Sequence, residues 1–105
     1  MKRKVMRWML SKNDKIVLRT IHGSVFLIDI SDNYAGDKCA LYEINETGKF
    51  IWNSLDENNS ISSLVIALQN AIVDEVPYES LYDDVSEYIT DLKNKRFVLE
   101  VVENG

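Results

Sequence analysis

Residue types that most often carry chemistry or break up structure are scarce in this chain. Its 105 residues include one cysteine, one histidine, one proline and four glycines. The lone cysteine, Cys39, cannot close an internal disulfide, which fits a reducing cytoplasm. With His22 as the one histidine, the usual zinc cage cannot be assembled. Gly23, Gly36, Gly48 and Gly105 fall into no phosphate-cradling pattern. Long apolar runs are missing too. None approaches the ~20 residues that span a bilayer. Arg7 and Lys12 interrupt the start before the roughly 7–15 apolar residues of a secretory signal could form.

These scarcities weigh against catalysis. His22 falls in a predicted turn with no partner nearby in sequence. Cys39 has only Lys38 beside it as a cation, and a free cysteine usually packs as a small hydrophobe. Asp83, Asp84, Glu87 and Asp91 read as a solvated helix face, because no pair among them shows the contrasting environments that acid/base chemistry needs. The expectation is a domain that is not an enzyme, with no catalytic residue, no cofactor and no metal.

The formal net charge of −5 is unevenly distributed. Residues 1–19 hold seven bases (Lys2, Arg3, Lys4, Arg7, Lys12, Lys15, Arg19) and one acid, Asp14. The remainder holds five bases and sixteen acids, a body that repels phosphate backbones and anionic membranes. Neither nucleic acid nor membrane is an expected partner. Residues 1–15 read as a basic arm, either flexible, or an edge segment that offsets the acidic body, or a docking element for an acidic partner. Residues 16–105 read as one domain.

What is present is a good core composition, with 46% apolar residues. Periodicity changes near residue 45 from strand-like to helical. Residues 16–21 and 24–30 form a predicted hairpin across His22-Gly23. The polar segment 31–38 reads as a loop, and Cys39 to Ile44 as a third short strand with Ala40, Tyr42 and Ile44 on one face. Asn45 and Ser60 are candidate N-caps for two helices, and Pro77 suits the first position of a third. The third helix carries Leu81, Val85, Tyr88, Ile89 and Leu92 on one stripe. Residues 97–102 read as a last strand. The fold class is α+β: a three-stranded antiparallel meander, three helices and a C-terminal wing strand, in a winged helix-turn-helix-like arrangement. The usual DNA-reading helix of such a fold would here carry Glu79, Asp83, Asp84, Glu87 and Asp91 with no cation between Tyr78 and Leu92.

Two stretches resemble the PqqD-like family, also called the RiPP recognition element. The first is Ile44-Asn45, Gly48, Ile51-Trp52 and Leu55. The second is Asp84-Val85, Tyr88-Ile89, Leu92 and Phe97-Val98. Ile44 stands where leucine is commoner, and Lys95-Arg96 where a glycine often precedes the wing. The resemblance implies a chaperone domain that binds the leader segment of a ribosomally made precursor peptide. The leader adds as a strand in the groove between the third strand and third helix, and a separate enzyme, often a radical S-adenosylmethionine maturase, modifies the core segment. On that basis the expected peptide-binding residues are Cys39, Ala40, Leu41, Tyr42, Glu43 and Ile44 on the strand. On the helix they are Tyr82, Ser86, Ile89 and Lys93, spaced i, i+4, i+7 and i+11. The third strand lacks proline, so its backbone is free to pair, and the same open edge permits a homodimer. The competing readings are a structural or regulatory winged-helix protein-interaction domain and, behind it, nucleic-acid binding through residues 1–19.

Overall fold

The computed structural model describes residues 6–31 and 41–104. The expected loop lies outside the described residues from 32 to 38, as do Cys39 and Ala40. Two antiparallel sheets flank three helices. In the first sheet, β2 (Ile16–Ile21), β3 (Ser24–Asp29) and β4 (Leu41–Ile44) lie in that order. The turn between β2 and β3 has His22 at φ 50° and Gly23 at φ 83°. Positive φ at both central residues gives the tight hairpin its matching twist, which accounts for the glycine and for the exposed histidine. Alternation then sorts the side chains. Ile16, Val25, Leu27 and Ile44 are buried against the helices.

The helices begin where the capping residues predict. Asn45 accepts the amide of Gly48 at 2.8 Å and opens α1 (Glu46–Ser54). Ser60 accepts the amide of Ser63 at 3.2 Å and opens α2 (Ile61–Ala71). Pro77, in an extended conformation, stands one residue before α3 (Tyr78–Asn94). Ile51, Trp52, Leu64, Val65, Leu68, Val85, Ile89 and Leu92 from the three helices close the core. α3 ends with Arg96 in the left-handed region at φ 63°. The amides of Arg96 and Phe97 return to the carbonyls of Lys93 and Leu92, the usual glycine-terminated helix end with an arginine in the glycine's place.

The periodicity shows no strand before residue 16, and here the structure differs. Met6–Lys12 forms β1, which pairs along its whole length with β5 (Val98–Asn104), from Met6 opposite Asn104 to Lys12 opposite Val98. A lone wing strand needs a partner, and the one it finds lies about ninety positions earlier, beyond any local signal. The corner after β1 is held by Asn13. Its amide donates to the Phe97 carbonyl (2.9 Å), its Nδ2 to the Arg96 carbonyl (2.8 Å), and its Oδ1 accepts from Lys15 (2.9 Å). Lys12 sits over the Trp52 ring at 5.0 Å and pairs with Asp56 at 3.1 Å.

Gly48 is where α1, β4 and α3 converge. A Cβ placed there would stand 2.5 Å from the Tyr88 hydroxyl and 3.2 Å from Cβ of Ile44. That hydroxyl is sealed from solvent and has no hydrogen-bond partner among the described residues. Gly48→Ala is therefore expected to cost about 1–2 kcal/mol through overpacking. Tyr88→Phe, which removes a buried unpaired hydroxyl, should be neutral or stabilising. The double variant should recover part of the loss. Urea unfolding of the four proteins measures the coupling, and strictly additive effects would refute the contact. Arg96→Gly should raise stability by up to ~1 kcal/mol by relieving the left-handed arginine, read as a higher urea midpoint at unchanged slope.

Candidate functional site

β4 is bonded to β3 on one side, from Val25 opposite Ile44 to Ile28 opposite Leu41. Its other side has no strand among the described residues. The edge leaves unpaired N–H and C=O groups at alternate residues. Leu41 and Glu43 are exposed, whereas Tyr42 is half-buried and Ile44 buried toward the helices. β2 forms the opposite edge but exposes Arg19, Thr20 and Ile21, with a charge that blunts pairing. The outer side of β1 is partly used, since the Leu10 amide donates to the Asn59 carbonyl at 2.8 Å.

Beside β4 runs one flank of α3. The Tyr42 hydroxyl donates to Oδ2 of Asp91 at 2.9 Å, and Lys95 donates to Oδ1 of the same carboxylate at 3.1 Å. Lys95 also stands 4.9 Å from the centre of the Tyr42 ring, which meets Phe97 edge-on at 6.0 Å. Lys95, and after it Tyr42, holds the Asp91 carboxyl below its ordinary range. Burial raises Tyr42, and the Asp91 hydrogen bond adds to the shift. Burial raises Tyr88 further, with the charges of Tyr42 and Asp91 contributing.

This flank borders a groove of about 540 Å³ lined by Asp84, Glu87, Tyr88, Thr90, Asp91 and Asn94. An adjoining recess of about 440 Å³ shares Asp84 and Tyr88, and is walled by Ile51, Leu68, Ile72, Val76, Leu81 and Val85. The α3 surface next to the Tyr42–Asp91 tie thus carries an acidic depression and, adjoining it, an apolar hollow. Among the described residues no group of three or more metal-ligating side chains comes together. No helix among them is long and apolar enough to cross a membrane.

The expected site residues divide. Leu41, Tyr42, Glu43 and Ile44 lie on the edge strand. Ile89 is fully buried in the core. Tyr82 and Lys93 stand on the flank of α3 turned away from β4. There they line a depression with Trp8 and Glu100, and Lys93 pairs with Glu100 at 2.6 Å. Ser86 lies between them on the same side, half-buried. Asp91 and Lys95, which meet Tyr42 of β4, and Tyr88, which stands at Gly48 just past the strand, were not among the expected residues. The signal for Asp91 was Tyr42, since an inward tyrosine on a strand usually finds a hydrogen-bond partner for its hydroxyl.

The sequence profile described as "Coenzyme PQQ synthesis protein D (PqqD)" matches residues 34–98. The chain belongs to the PqqD family. A solved structure, "TbiB1 in Complex with the TbiA(beta) Leader Peptide", shares the fold of this PqqD-family chain at a TM-score of 0.64 and 20% identity, covering 83% of this chain and 92% of that one. No curated protein matches.

Acid should act on the Tyr42–Asp91 tie. Because Asp91 titrates below its ordinary value of 3.8, its contribution is fully present above that pH and is lost as the pH falls through the lower folded value. Tyr42→Phe should lower stability by about 1 kcal/mol at neutral pH. The difference from the parent should shrink in strong acid. Urea midpoints measured from neutral pH down to about 2 test this, and a Tyr42→Phe deficit independent of pH would count against it.

Proposed function

We propose that this domain is a peptide chaperone that binds the leader segment of a ribosomally made precursor by strand addition to β4 and presents it to a separate modifying enzyme. The open edge of β4 beside the α3 flank is the observation that carries this reading. Membership of the PqqD family and a fold shared with a protein solved in complex with a leader peptide support it. The domain acts by holding and not by reacting. A separate partner enzyme, often a radical S-adenosylmethionine maturase where this family resemblance holds, supplies the chemistry. The lone cysteine suits cytoplasmic work.

The energetics require more than the backbone. Each net hydrogen bond along the edge contributes only about 0.5–1.5 kcal/mol, and the leader loses conformational freedom on binding. Apolar burial at about 25 cal/mol per Å² makes up the difference, and the recess beside Tyr88 offers that surface.

The test is an NMR titration of the labelled chain with the precursor peptide encoded beside it. Amide shifts are expected at residues 41–44 and along the Asp84–Lys95 flank. A leader N-methylated at alternate residues should lose binding, because its ladder is blocked. Shifts confined to the β1/β5 ribbon, where Trp8, Leu99 and Val101 are exposed, would instead favour a protein-interaction wing. A homodimer zipped through β4 would compete for the same edge and would show as concentration-dependent sedimentation.

A further inference from the structure

The groove has a polarity and a charge that select its guest. Tyr42 stands at Asp91, and Gly48, just past β4, stands at Tyr88, so α3 runs antiparallel to β4 and the apolar recess lies at the strand's C-terminal end. A strand added antiparallel to β4, the stronger ladder geometry, would enter with its N-terminal part at the recess and leave past Asp91. Beyond the recess the surface of α3 carries Asp84, Glu87 and Asp91. Asp91 is already neutralised by Lys95, but Asp84 and Glu87 are exposed and have no ion-pair partner among the described residues. They sit one helical turn apart, about 4.5 Å along the axis. A guest strand places its next same-side residue about 6.7 Å beyond an anchored one, which reaches that pair.

We infer that the guest is a cationic extended segment in which an apolar side chain seats in the recess and a lysine or arginine two residues later lies over Asp84 and Glu87. This rests on the groove reading above and goes past it by fixing the order and charge of the bound peptide. The geometry supplies the order and the unpaired carboxylates supply the sign. An acidic guest would meet two uncompensated like charges at the same place.

Three fluorescein-labelled synthetic peptides on one β-prone background test it against the full chain by anisotropy. The first carries leucine followed two places later by lysine. The second has glutamate in place of the lysine. The third reverses the order, with lysine before leucine. The first should bind most tightly, and its affinity should fall with added salt. The paired change Asp84→Asn with Glu87→Gln, both at exposed positions, should weaken it about fivefold while leaving the glutamate peptide unweakened. Glutamate and lysine peptides binding alike, or indifference to the paired change, would overturn the inference. Where amides 41–44 still shift, the groove reading stands without it. Absence of those shifts with every peptide would remove both.

Discussion

The Tyr88 side chain of α3 fits against α1 and the end of β4 because position 48 has no side chain. Any larger residue would push against the Tyr88 ring from one side and Ile44 from the other. The helix, the end of the strand and the first turn of α1 are fixed together at that point. One turn further along, Tyr42 reaches across to Asp91, and Lys95 closes the same carboxylate from the other side. A tight apolar approach at one end and a polar tie at the other set the width of the groove between them. The depression lined by Tyr88 and Asp91 is thus fixed by packing at both ends.

Much of this was legible in the sequence because much of it is local. Asn45 and Ser60 cap their helices through hydrogen bonds three residues away, and His22-Gly23 closes a hairpin between adjacent strands. The α3 stripe of Leu81, Val85, Ile89 and Leu92 follows from helical spacing alone. β1 was not legible. Its partner is remote, and the basic residues around Met6, Trp8 and Leu10 mask the alternation that would have marked a strand.

The flank of α3 that meets β4 was hidden for a different reason. Helical periodicity identifies the buried stripe but says nothing about which of its two borders faces a given strand. Tyr82, Ser86 and Lys93 border it on one side, Asp84, Tyr88 and Asp91 on the other. Three-dimensional handedness decides, and it turns Tyr82 and Lys93 toward Trp8 and Glu100. Asp83, Asp84 and Glu87 are exposed, as a solvated face requires, whereas Asp91 is tied to Tyr42 and Lys95.

The described part of β4 runs from Leu41 to Ile44, with its outer edge open among the described residues. If Leu41–Ile44 took up an added strand, backbone bonds over those four residues would hold it weakly, and side-chain burial would decide how long it stayed.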